Sequence, residues 1–314
     1  MNVLAAGLAC FFSGRGKTRP VMLINAIGMA VNIPLDYALI NGIWLFPELG
    51  IRGAGIATVC SWTLMAMMYA GLIFNRENDR RYGILSHHAF DAQLSMRIIR
   101  KGAPAALQFA SDVFAFTFFI FMVGRLGRIE LAVSNIAFSL ESLAFMPAVG
   151  FSIGLSTLVG QSLGRNDVDA ALRFTKQTIC ILMGYILLLD LLFFSAPRWI
   201  LAIFIMGEHG SAAYPQLLAR GVAVLRIMAF FISFDAMYFT FIGVLKGAGD
   251  TRFIMWSIGG VTLGAMVLPL TLVVEVLGWG LIACWVTLTI YVLSLFCVSF
   301  LRYRQGKWKS IRVI

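Results

Sequence analysis

Five acidic residues stand inside stretches that are otherwise apolar: Asp36, Asp112, Glu141, Asp190 and Asp235. A carboxylate held away from water is costly in its charged form, so it takes a proton or a cation and gives it up when a path to water opens. That exchange is the chemistry of an ion-coupled carrier. Asn32 precedes Asp36 by one helical turn, so the two side chains share a face. Asp112 is flanked by Gln108 and Ser111, and Asp235 by Ser233 and Tyr238. Phe109 and Phe234 neighbour these acids, and ring faces beside a countercharge suit a lipophilic cation. The coupling candidates are therefore Asp36 with Asn32, Asp112, Asp235 and Glu141. Gln108, Ser111, Phe109, Phe234 and Tyr238 are the candidates for contact with substrate. The competing account is that these acids only pin helices together, and it weighs most on Asp190, nearest a helix end.

Other chemistries find no support. His87, His88 and His209 lack metal-ligand spacing, and no nucleophile stands with a base, so no enzyme is expected. Gly16-Lys17-Thr18 has the end of a phosphate-binding loop, but Phe11 stands where that loop needs glycine. The five cysteines are read as small buried hydrophobes without disulfide spacing. No cofactor, nucleic acid or obligatory protein partner is implied.

The elements that carry these residues follow from composition. The chain of 314 residues is 60% hydrophobic and 13% charged, with a mean hydropathy of +0.87. An all-α, polytopic transmembrane bundle follows. Apolar runs at 21–43, 51–74, 102–124, 131–160, 172–195, 217–245, 253–275 and 279–301 give eight complete spans, preceded by an apolar stub at 1–12. Pro147 and Pro269 mark expected kinks, and 197–215 reads as irregular. Nineteen of the 25 basic residues fall at one set of loops and ends, 13–19, 76–101, 165–176, 246–252 and 302–312. The positive-inside rule then puts the C-terminus in the cytoplasm.

An internal repeat orders the halves. FFSGRGKTRPVM returns as IGVLKGAGDTRFIM, with Gly14, Gly16, Thr18, Arg19 and Met22 matching Gly247, Gly249, Thr251, Arg252 and Met255. FPELGIRGAGIAT has its counterpart in EVLGWGLIAC. The stub and first two spans thus equate with the last three. The expected organisation is a first-lobe remnant at 1–75, a cytoplasmic linker at 76–101 and a six-helix lobe at 102–314. On that count the first half lacks three helices and most of a fourth.

The repeated GxGxT-R turn, NIPLD, FPELGIRGAGIAT, GAPAALQ and FMPAVGFSIGLSTLVGQSLGRND together resemble the multidrug and toxic compound extrusion (MATE) family over essentially the whole chain. The resemblance implies two six-helix lobes with the first incomplete here, and export of cationic or amphipathic compounds in exchange for H+ or Na+ across the bacterial inner membrane. It puts the family's fifth-helix Asn and Asp on Asn32 and Asp36, and its seventh- and tenth-helix acids on Asp112 and Asp235, the positions that would hold Na+. Asp112 departs from the Glu common in similar members. A related lipid-linked precursor flippase would line its cavity with basic groups, and an inactive or assembly-dependent fragment would export nothing alone.

Overall fold

In a computed structural model of the chain, residues 1–43, 46–84, 91–205 and 214–311 are described, apart from the side chains of Lys101 and Ser310. Every regular element among them is helical. His87, His88 and His209 lie outside the described residues. The chain divides into two compact units, Met1–Ala92 and Gln93–Ile314.

The first unit holds α1 (Asn2–Ser13), α2 (Thr18–Asn41), α3 (Ile51–Ile73) and the short α4 (Arg76–Tyr82). Its core gathers Ala5, Phe12, Ile24, Met65, Tyr69 and Ile73. α2 and α3 pack antiparallel, because a Cβ at Gly53 would strike the Leu39 carbonyl and one at Gly28 would strike Met65. Tyr69 Oη donates to Asn25 Oδ1 at 3.1 Å along the same seam. Arg15 is stacked between the rings of Phe11 and Tyr82, at 4.8 and 4.9 Å from their centroids, and donates to Asn78.

The second unit holds α5 (Ala92–Leu126), α6 (Arg128–Gly164), α7 (Val168–Ser195), α8 (Pro197–Phe204), α9 (Tyr214–Gly247), α10 (Thr251–Val261), α11 (Leu268–Thr271) and α12 (Leu281–Arg304). Wider π-helical turns at Thr262–Val267 and Leu272–Val276 flank α11, so α10 and α11 lie on one apolar helix from Thr251 to Val276. Its irregularity centres on Pro269, which can donate no backbone hydrogen bond. α6 runs unbroken through Pro147. Among the described residues, eight helices are long and apolar enough to cross a membrane, matching the eight apolar runs, and this is a multi-pass membrane protein.

Three details differ from the reading of the sequence. The polar stretch 76–101 is largely helical, since α4 occupies its start and α5 begins at Ala92. Within the segment 197–215, Pro197 opens α8, where a first-turn proline costs no hydrogen bond. Of the cysteines only Cys284 is buried, whereas Cys10, Cys60, Cys180 and Cys297 are exposed. A bilayer accepts a thiol on the outer face of a bundle as readily as a core does, so burial does not follow from an apolar run.

The internal repeat is visible in backbone geometry. Gly16 and Gly249 both adopt left-handed φ, 72° and 80°, as do Gly50 at 53° and Gly278 at 60°. Gly16 N donates to Ser13 O and Lys17 N to Phe12 O; Gly249 N donates to Lys246 O and Asp250 N to Leu245 O. Both are the paired 5→2 and 6→1 bonds that close a helix over a left-handed residue. A third copy closes α6, where Asn166 at φ 59° takes the glycine's place, with Asn166 N on Leu163 O and Asp167 N on Ser162 O.

In the second unit the turn is tied down by charge. Arg302 Nε donates to Asp250 Oδ2 at 2.7 Å, with the two side chains only 17% and 9% exposed, and the guanidinium lies 4.5 Å from the Phe253 ring centroid. Trp308 folds back, fully buried, donating from Nε1 to Tyr303 O. Asp250→Ala is expected to strand the guanidinium and cost about 2 kcal/mol. Thermal unfolding in detergent checks it; an unchanged midpoint would show that the ion pair adds nothing.

Candidate functional site

α9 carries the centre of the site. Asp235 and Tyr238 lie one turn apart on it, both buried, at 6% and 2% exposure. Glu141 faces this stripe from α6 and is itself buried; Gln108 and Asp112 come from α5, and Tyr291 from α12. Asp235 lies within electrostatic reach of both Glu141 and Asp112, and Tyr291 within reach of Asp112 and Asp235. Three like charges thus converge in an apolar bundle, an arrangement that persists only if a proton or cation neutralises part of it.

The hydrogen bonding leaves acceptors open. Gln108 Nε2 donates to Asp112 Oδ2, while Gln108 Oε1, Glu141 Oε1 and Tyr238 Oη are buried without a hydrogen-bond partner. Tyr291 Oη and Thr262 Oγ1 pair at 3.2 Å at the edge of the cluster. Buried polar atoms in native folds are almost always paired, so several unpaired oxygens together mark a place where a hard cation, a hydronium or a cationic group can be received. Among the described residues no three His, Cys, Asp or Glu side chains form a metal-holding group.

Other candidates fall elsewhere. Asp190 accepts from Ser233 Oγ at 2.7 Å, a pairing between α7 and α9. Phe109 is 67% exposed, Ser111 Oγ donates to the Leu107 carbonyl, and Phe234 stacks on Phe296. Phe119, Phe138 and Phe231 pack around Trp285, whose Nε1 donates to Ser134 Oγ at 3.1 Å; these rings hold α5, α6, α9 and α12 together. A cavity of about 700 Å3 lined by Glu130, Arg220, Trp279 and Val286 contains none of the cluster's acids.

In the first unit, Asn32 Nδ2, Asp36 Oδ1 and Ser61 Oγ are buried without hydrogen-bond partners. The α2–α3 register set by Leu39 with Gly53 and Gly28 with Met65 brings Asn32 level with Ser61 and Asp36 level with Ala57. Ser61 is missing from the sequence reading, as are Tyr291 and Thr262. Lone hydroxyls in apolar runs carry no signal until the register is known.

Helix count, internal repeat and buried acids define a polytopic helical membrane protein with acidic side chains inside its bundle. The family model described as MatE matches residues 104–273, and the chain belongs to that family. It is 28% identical over 315 residues to the "Probable multidrug resistance protein NorM" of Thermotoga maritima, covering 99% of this chain and 65% of that protein. It is 30% identical over 249 residues to the "Multidrug resistance protein MdtK" of Yersinia enterocolitica, covering 77% of this chain and 52% of the relative. The chain thus spans about half to two thirds of the length of these curated relatives. Among solved structures, one described as MATE in the bent conformation superposes with a TM-score of 0.81 at 19% identity, over 98% of this chain and 66% of that one. An outward-facing multidrug resistance MATE family transporter gives 0.79 at 19% identity, over 93% and 63%.

Proposed function

We propose that this chain works in cation-coupled export of lipophilic cations and other amphipathic compounds across the bacterial plasma membrane, by alternating access. The observation that carries the reading is the convergence of Asp112, Glu141 and Asp235 beside unpaired buried oxygens. The names of the relatives, multidrug resistance proteins, support the substrate class. Asp235 and Asp112 take the coupling ion, H+ or Na+, as cargo rather than as a resident cofactor, with Glu141 close enough to share the charge. Asp36 with Asn32 provides a second titratable site. A cationic substrate and the coupling ion need the same negative charge, so one leaves as the other arrives, and the exchange is obligatory without any covalent step. Charge distribution supports a cytoplasmic C-terminus and a linker on the cytoplasmic side.

Reconstitution of the 314-residue chain in liposomes tests this reading. Export of tetraphenylphosphonium is expected to follow an imposed H+ or Na+ gradient and to stop when that gradient is collapsed by a selective ionophore. Comparing the two gradients identifies the ion. Export indifferent to both would sink the coupling proposal, and absence of export would sink the transport proposal for this chain.

A further inference from the structure

The short helix α4 has two unlike faces. Asn78 and Tyr82, one turn apart, form the docked one. Asn78 Nδ2 donates to the carbonyls of Leu72 and Ile73 at 3.0 and 3.1 Å, and the Tyr82 ring meets Phe11 edge to face at 5.7 Å beside the Arg15 guanidinium. Asn75 closes the start of the helix, its Oδ1 accepting from Asn78 N at 2.7 Å. These contacts satisfy carbonyls left open at the end of α3 and hold α4 against the ends of α1 and α3. The other face is open. Arg76, Glu77, Arg80 and Arg81 are all exposed and together line a cavity of about 580 Å3, three positive charges to one negative. Among the described residues no carboxylate lies within ion-pair distance of these three guanidiniums. Arg76 comes directly after the turn that ends α3 at Ile73, where Leu72 and Phe74 are apolar and 46% and 50% exposed. In a membrane-spanning bundle such side chains meet lipid tails, so the arginines just beyond them stand at the level of the headgroups.

We infer that the open face of α4 is a binding site for the phosphodiester headgroup of an anionic phospholipid. Guanidinium groups bind phosphate oxygens in pairs, through two parallel hydrogen bonds, and a basic cluster immediately outside a span is drawn to an anionic lipid surface. The bound lipid would set its phosphate among Arg76, Arg80 and Arg81 and lay its chains along Leu72 and Phe74. Because Asn78 and Tyr82 already hold the helix in place, binding orders side chains only and no backbone. Glu77 lines the same cavity and repels the phosphate, which limits the affinity. The site lies in the first unit, apart from the acidic cluster of the second, and the inference does not depend on the function proposed for that cluster.

Binding of phosphatidylglycerol and phosphatidylcholine to the detergent-purified chain, resolved by native mass spectrometry, tests this. The unaltered protein is expected to retain phosphatidylglycerol in preference to phosphatidylcholine. Neutralising one arginine, as Arg76→Gln or Arg80→Gln, should weaken phosphatidylglycerol binding roughly five-fold, and neutralising all three should weaken it by roughly ten-fold or more. Glu77→Gln should act in the opposite direction and tighten it roughly two- to five-fold, because a like charge beside the phosphate is gone. A damaged fold would not produce that gain. Phosphatidylcholine binding should stay the same in every variant. Equal retention of the two lipids by the unaltered protein overturns the inference. So does phosphatidylglycerol binding that survives the triple substitution, or a Glu77→Gln variant that binds no more tightly. Inorganic phosphate lacks the chains and should compete poorly; displacement of the lipid at equal concentration would give the site to free phosphate and overturn the lipid assignment.

Discussion

Asp235→Asn is expected to abolish ion-driven export while leaving the protein folded. Asn has the size and shape of Asp and keeps a carbonyl acceptor, so packing around α9 is preserved. What disappears is the charge that binds the cation. Removing one partner of a buried charge interaction costs about 2–3 kcal/mol, equal to roughly 30-fold or more in affinity at 1.4 kcal/mol per decade. Transport should fall further than binding, because a carrier that never loads its coupling ion has no reason to exchange. The effect on stability should have the opposite sign. Asp235 is buried and faces Glu141 and Asp112 as like charges, so neutralising it relieves repulsion, and the melting temperature in the absence of cations should hold or rise. Gradient-driven tetraphenylphosphonium export in liposomes and a thermal melt of the same preparation check both halves. Lost export with a collapsed melt would return Asp235 to a structural role, and export at the unaltered rate would move the coupling site elsewhere.

How much of this was legible in the sequence depended on which residues had to be known together. The eight spans were readable because each apolar run is independent of the others, and their ends missed only where polarity and helicity diverge. Residues 92–101 carry Arg97, Arg100 and Lys101 and still belong to α5, since a helix leaving the bilayer continues as long as its polar face meets water. The repeat was readable at Gly16 and Gly249, where a left-handed turn asks for glycine. Its third copy was not, because Asn166 tolerates the same conformation and Asp167 has no counterpart of its own type in the first copy. Asp112, Glu141 and Asp235 were found one by one as charges in apolar runs, but their convergence depends on how α5, α6 and α9 pack.

That packing rests on a seam of small residues, and the seam yields the other large effect. Gly243 and Gly247 of α9 meet Ser152 and Ser156 of α6 at a constant difference of 91 residues, so the two helices run parallel and in fixed register. A Cβ at Gly247 would sit 2.4 Å from the Ser156 carbonyl oxygen, and one at Gly243 would sit 2.7 Å from that of Ser152. Backbone cannot give way as a side-chain tip can, so the helices must separate. Gly247→Ala is therefore expected to cost about 1–3 kcal/mol through overpacking, despite the better helix propensity of alanine. Gly150→Ala on α6 provides the control. Nothing lies within 4 Å of a Cβ there, and the exchange should stabilise the helix by about 0.5–1 kcal/mol. One added methyl thus moves the melting temperature down at one glycine and up at the other, and equal shifts would deny the seam. The consequence reaches the site. By the same register Glu141 stands level with Ile232, one turn from Asp235, so widening the seam draws Glu141 away from Asp235. Gly247→Ala should accordingly weaken cation binding although it touches no charged group, whereas Gly150→Ala should leave binding unchanged; equilibrium dialysis of tetraphenylphosphonium distinguishes the two.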